Sequence, residues 1–193
     1  PGLDNLVNNN VREGRLTFSS NIEKNIQEAK IIFIAVGTPQ DEKGIADLTA
    51  VKSVVKIIAD NLNNYKIICT KSTVPIGTGK WIESEIKSRA SNDNFDYVSN
   101  PEFLREGAAV NDFLYPDRIV IGSLSEKAYS EMREIYRPLY INKTPIIETS
   151  VETAEMIKYA SNSFLALKIS YINEIANLCE AVGADIHQVA SAM

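Results

Sequence analysis

Three short stretches carry residues able to hold and transform a polar ligand. Gly37-Thr38-Pro39, Lys71-Ser72-Thr73-Val74-Pro75 and Asn100-Pro101-Glu102 each join a hydroxyl, amide or carboxylate to a proline. Proline fixes its own φ and pushes its predecessor into extended backbone, so such a turn presents polar groups from a rigid frame. A single turn of this kind is ordinary loop punctuation, but three that follow three apolar strands fall along one rim. The third runs on through Phe103, Leu104, Arg105, Glu106 and Gly107. Glu102 and Glu106 stand four apart, and a helical turn would set both carboxylates on one side, where like charges raise a carboxyl pKa toward acid/base work. The same spacing equally suits a solvated helix start, where the dipole favours glutamate. Lys158 and Asn162 are also four apart, among Met156, Ile157, Phe164 and Leu165. On one helix face they can hold an oxyanion or alkoxide, although a lysine snorkelling from an apolar helix is the commoner meaning of an isolated pair.

Other reactive residue types are poorly placed. His187 is the only histidine and has no metal-ligand partner at helical spacing, so it reads as a surface residue and no metal site is expected. Cys69 lies in a strand-like run and Cys179 in a helix-like one, neither beside an activating residue, which suits buried structural thiols. No P-loop and no G-x-G-x-x-G loop is present.

The elements that position these residues follow from periodicity. Apolar, β-branched runs predict strands at Leu16–Phe18, Ile31–Val36, Lys66–Thr70, Tyr97–Ser99, Arg118–Ile121 and Pro145–Ile147. Between them the pattern turns helical, most clearly at Leu48, Val51, Val55, Ile58 and Leu62. Strands apolar throughout and separated by helices imply a parallel sheet covered on both faces, a doubly wound α/β domain. Ligands then bind outside the carboxyl ends of the strands, where the three turns lie. After Ser150 the alternation stops, and residues 151–182 read as one long helix ended by Gly183. The domain boundary falls near residue 149, and the helix carries more apolar residues than one flank can cover, which points to a second subunit.

The chain has 193 residues with 45% hydrophobic and 23% charged side chains, a globular composition rather than a disordered or disulfide-scaffold one. Its net charge of −5 and scattered basic residues disfavour nucleic acid as a partner. Apolar runs are too short to span a bilayer, so no membrane partner is expected. Unpaired cysteines and the lack of a signal-like segment suit a cytoplasmic protein. The first residue is Pro and the last helix barely begins before Met193, as expected of an internal fragment of a longer chain.

The ordered set Val36-Gly37-Thr38-Pro39, Lys71–Thr78, Asn100–Gly107, Pro116–Gly122 and Lys158–Ala166 resembles the nucleotide-sugar dehydrogenases of the UDP-glucose/GDP-mannose dehydrogenase family. The resemblance covers the whole chain and is nearest to the UDP-glucose branch. It implies a Rossmann-like NAD-binding domain over 1–149, lacking its first strand and Gly-rich loop, and the start of a helical central domain over 150–193. It further implies a two-step oxidation of a UDP-sugar at C6 with NAD as cofactor, through a thiohemiacetal and a thioester on a cysteine; the homodimer is expected from the uncovered apolar face of the long helix. The Gly-Gly-x-Cys context of that cysteine is absent, so neither Cys69 nor Cys179 is assigned to it, and the 193-residue chain alone is expected to be inactive. By the same resemblance Thr73 positions the hydrolytic water, Glu102 is the acid/base, Glu106 lies by the nicotinamide and substrate, and Lys158 and Asn162 stabilise oxyanions. Val36, Thr38, Ser72 and Thr73 line the dinucleotide, and Phe103, Leu104, Arg105 and Glu106 grip the sugar nucleotide. Other nucleotide-sugar dehydrogenases, and single-step hydroxyacid dehydrogenases of the 6-phosphogluconate type, are the alternatives.

Overall fold

The computed structural model describes residues 2–193, which divide into two compact units, one ending at Met156 and one over Ile157–Met193. The first unit opens with α1 (Leu3–Arg12) and α2 (Ile22–Glu28). Then come β1 (Ile31–Ile34), α3 (Thr49–Asp60), β2 (Lys66–Thr70), α4 (Thr78–Arg89), β3 (Phe95–Ser99), α5 (Ala109–Leu114), β4 (Ile119–Gly122), α6 (Glu126–Tyr136), a 3-10 helix (Arg137–Asn142) and β5 (Ile146–Thr149).

The strands form one sheet in the order β1-β2-β3-β4-β5. Side chains alternate across it. Ile34, Ile68 and Tyr97 pack with Val51, Val55 and Ile58 of α3 and Ile82 and Ile86 of α4. On the opposite face Ile67, Cys69, Val98 and Ile121 pack with Ala128, Met132 and Tyr136 of α6. Every residue of β2 is buried, which is why its centre, Ile67-Ile68-Cys69, is apolar on both faces, while the buried Lys66 at its start donates to the Gln27 and Ala29 carbonyls. Each buried Ile or Val in such a core contributes about 1.5–3 kcal/mol relative to exposure.

The sheet departs from the all-parallel expectation at one seam. β1, β2 and β3 are parallel and β4 is parallel to β5, but β3 and β4 run antiparallel through the pair Ser99↔Gly122. A parallel neighbour needs a crossover that carries the chain back along the sheet. Between β3 and β4 the only helix is α5, six residues long, so the chain stays at the strand ends and β4 starts from there. As a result Gly122 and Thr149 finish level with Ser99, and the next helix begins at the same height.

The strand expected at Leu16–Phe18 does not form. These three residues pair with no strand among those described, and Phe18 is 77% exposed; β-propensity without a neighbouring ladder does not make a strand.

The long helix α7 (Val151–Val182) has the expected limits. Its C-terminus closes as the glycine predicted: Gly183 takes φ 75 and the Ala184 amide reaches back to the Cys179 carbonyl at 2.9 Å. In the second unit α8 (Ile186–Ala192) follows, its first turn capped by the Asp185 carboxylate on the His187 amide at 2.8 Å.

Candidate active site at the strand ends

The first two turns follow β1 and β2 and are tied to each other by their own hydroxyls. Thr38 Oγ1 donates to the Thr73 carbonyl at 2.8 Å, and Ser72 Oγ donates to the Val36 carbonyl at 2.6 Å. The Lys71 and Ser72 amides both reach the Ile34 carbonyl, at 2.9 and 3.1 Å. The two hydroxyl protons are therefore engaged in holding the turns in register. What these turns offer a ligand is half-buried Val36, the open backbone at Gly37, where an added Cβ would meet no atom within 4 Å, and the half-buried Thr73.

The second and third turns are joined just as closely. Lys71 Nζ lies 3.2 Å from Asn100 Oδ1, the Asn100 amide donates to the Thr70 carbonyl at 2.9 Å, and Asn100 Nδ2 donates to the Val120 carbonyl at 2.7 Å. Three turns distant in sequence thus become one continuous rim.

The third turn is not helical where the glutamates stand. Residues 101–105 have no regular structure, 106–108 form a turn, and α5 begins only at Ala109. Pro101 precedes Glu102, Gly107 sits at φ 80, and the Glu102 carboxylate bonds the Leu104 amide, a local alternative to the helix that carboxylate side chains favour. The shared helical face expected for Glu102 and Glu106 is therefore absent: Glu102 is half-buried and Glu106 exposed.

Around them the loop is fastened by charge. Arg105 grips Asp112 of α5 through Nε at 3.0 Å and a terminal nitrogen at 2.6 Å, and its backbone amide adds a bond of 2.9 Å. These bonds from Arg105 hold the Asp112 carboxyl down at about 2. Arg105, expected to grip a ligand, is committed to this internal pair, while Leu104 is exposed. The Arg118 guanidinium lies over the Phe103 ring, 4.2 Å from its centroid.

Lys158 and Asn162 lie one turn apart on α7 in the second unit, Lys158 buried and Asn162 exposed. Cys69 is fully buried and burial pushes its thiol up to about 12; Cys179 is buried as well.

Two features escaped the sequence reading. The Glu155 carboxylate, 2% exposed, accepts from the Gly77 and Gly79 amides at 2.7 and 2.8 Å, so the positive end of α4 is occupied by the protein's own anion. In the sequence Glu155 is an ordinary acid near a helix start; only the paired Gly77-x-Gly79 hints at a close approach. The second is Tyr136, whose hydroxyl donates to Asn100 Oδ1.

Comparison with known proteins bears out the resemblance. The family model described as UDP-glucose/GDP-mannose dehydrogenase family, NAD binding domain, matches residues 1–140, and that for the family's central domain matches 152–193. The chain belongs to this family. It is 53% identical over 191 residues to the UDP-glucose 6-dehydrogenase TuaD of Bacillus subtilis, covering 98% of this chain and 41% of that protein. It is 50% identical over 193 residues to the UDP-glucose 6-dehydrogenase of Rhizobium meliloti, covering 98% and 44%. Among solved structures, a UDP-glucose dehydrogenase from Pyrobaculum islandicum superposes with a TM-score of 0.93 at 38% identity, and a ternary complex of GDP-mannose dehydrogenase from Pseudomonas aeruginosa with 0.94 at 34%. Each match covers all of this chain and 45% of the solved one. The chain spans less than half the length of these relatives. The sheet and its flanking helices are thus the NAD-binding fold of the family.

Proposed function

We propose that the protein carrying this chain oxidises UDP-glucose at C6 to UDP-glucuronate in two NAD-dependent steps. The observation that carries the reading is the 53% identity to a UDP-glucose 6-dehydrogenase over nearly the whole chain. In this reading residues 1–149 are the later part of the NAD-binding domain and residues 150–193 open the central domain. The fit to a dinucleotide rests on the half-buried Val36, which offers apolar surface to a flat ring, and on Gly37, whose open backbone allows close approach. Val36, Thr38 and Ser72 hold the dinucleotide from the rim, with Thr73 and Glu106 at the junction of dinucleotide and sugar. NAD, when bound, accepts a hydride in each step.

The chain's own residues bind the sugar nucleotide, move protons and stabilise charge. Phe103, Leu104, Arg105 and Glu106 form the strand-end segment on which the sugar nucleotide lies. Glu102 is the acid/base that activates the water positioned by Thr73 in the hydrolysis of the thioester. Lys158 and Asn162 stabilise the alkoxide and the tetrahedral oxyanions at C6. The thiolate that adds to the aldehyde to give a thiohemiacetal, and that is released when water hydrolyses the thioester, is neither Cys69 nor Cys179: neither stands in a Gly-Gly-x-Cys segment, both are buried, and burial raises the Cys69 thiol, which makes it a poor nucleophile.

The exposed apolar residues Phe164, Leu165, Leu167 and Ile169 of α7 support a homodimer. No helix of the described residues is long and apolar enough to cross a membrane; the cytoplasmic location is proposed from the unpaired Cys69 and Cys179.

The test is NADH release by the intact protein against a panel of UDP- and GDP-sugars. Two NADH per UDP-glucose is expected. Turnover with GDP-mannose or a UDP-N-acetylhexosamine in its place moves the assignment within the family, and one NADH per substrate overturns the two-step mechanism.

A further inference from the structure

Asn100 is the residue on which four separate parts of the first unit converge. Its backbone amide bonds the end of β2 at Thr70, its Nδ2 bonds β4 at Val120, and its Oδ1 accepts from the Tyr136 hydroxyl at the end of α6 and from Lys71 Nζ of the second turn. Tyr136 and Lys71 also meet directly, with Nζ 3.3 Å from the hydroxyl and 5.9 Å from the ring centroid. Asn100 and Tyr136 are 1% and 5% exposed, so this is a buried polar network whose hydrogen-bonding capacity on the side-chain oxygen is filled by two donors. A buried tyrosine hydroxyl needs some partner; here that partner is the side chain at the root of the third turn, shared with Lys71 of the second. Between Asn100 and Glu102 stands one residue, the buried Pro101, whose ring leaves a single backbone torsion soft. The orientation set at Asn100 is therefore passed on to Glu102.

We infer that Tyr136 is a positioning residue for Glu102: through Asn100, and together with Lys71, it fixes the direction in which the Glu102 turn leaves the sheet. The inference rests on the reading of Glu102 as the acid/base. Tyr136 itself, the last residue of α6, lies in the core cluster with Ile67, Cys69 and Val98 of the sheet and is assigned no contact with a reacting atom; its contribution is geometric, and a small displacement of a proton-transfer group lowers rate steeply.

Tyr136→Phe keeps the ring and removes one bond, and Lys71→Met removes the other. The experiment uses the intact protein, with UDP-glucose turnover and amide hydrogen exchange measured on the same samples. Each variant is expected to lower kcat between about tenfold and a hundredfold with the KM for NAD unchanged, and to speed exchange in residues 101–107 while leaving β2 protected. If the effect runs through Glu102, Tyr136→Phe costs nothing further in a Glu102→Gln background, read as the slow residual NADH release that follows its burst, since coupled residues are not additive. Unchanged exchange in 101–107, unchanged turnover, or a loss that persists in full in the Glu102→Gln background overturns the inference. A wild-type protein that releases no NADH with any nucleotide sugar overturns the functional reading beneath it, and is distinguished because it is seen before any substitution is made.

Discussion

Glu102 finds a hydrogen-bond donor two residues along its own chain, at the Leu104 amide, and this local bond separates it from the helical pairing with Glu106 that their spacing suggests. The two carboxylates thereby take on different surroundings, one half-buried and one exposed, a difference suited to distinct roles. In the proposed mechanism Glu102 activates the water that hydrolyses the thioester. Glu102→Gln in the intact protein should then release NADH in a burst stoichiometric with active sites and stall, because covalent intermediates that cannot be resolved accumulate. Rapid-mixing absorbance would read this directly, and steady turnover without a burst assigns hydrolysis to another residue. The types and order of these residues could be read from the sequence. Their geometry could not, because an i, i+4 spacing specifies a shared face only if the backbone is helical, and Pro101, Gly107 and the Glu102 side chain together prevent that.

At the scale of elements, the first turn of α7 is seated on the sheet by close approach. A Cβ on Gly79 would stand 2.4 Å from Val151 Cγ1, and one on Gly122 would stand 2.5 Å from Ala154 Cβ and 2.8 Å from the Ser150 carbonyl. Glycine at these two positions lets α4, β4 and α7 touch. The Glu155 carboxylate completes the seat at the N-terminus of α4. Burial raises its carboxyl above the ordinary value of 4.5, and the two amide bonds oppose that shift without cancelling it. A raised folded-state value means that the folded chain holds the proton more readily than the unfolded one. The associated stability is present below pH 4.5 and is lost as pH rises through the raised value. Glu155→Gln leaves one glycine amide without an acceptor and should cost about 1–3 kcal/mol. The difference from wild type should narrow as pH rises from about 4 to about 7. Urea denaturation at both ends of that range measures it, and a difference that widens instead identifies the ionised carboxylate as the stabilising form.

For the whole molecule, α7 presents Phe164, Leu165, Leu167, Ile169 and Leu178 each more than half exposed in the described chain, more apolar surface than a lone helix keeps in water. A homodimer with two-fold symmetry would bury the same surface on both subunits. Sedimentation equilibrium of the intact protein is expected to give a dimer or a multiple of it, and charges at Ile172 and Ile175 should shift it toward monomer. Variants that stay dimeric and equally stable would mean that the helix is covered from within its own chain. The sequence by itself determined the α/β class, all five strands to within two residues at each end, the limits of α7, and the three turns that carry the polar residues. These follow from local chemistry: apolar runs, helical periods and proline and glycine torsions are properties of neighbouring residues. The tertiary structure alone decided the antiparallel seam between β3 and β4, the absence of a strand at Leu16–Phe18, the bond from Tyr136 to Asn100 and the capping of α4 by Glu155. Each depends on a partner far away in the chain, 36 residues for Tyr136 and Asn100 and 78 for Glu155 and Gly77, and no local pattern encodes which distant group will satisfy a buried donor or acceptor.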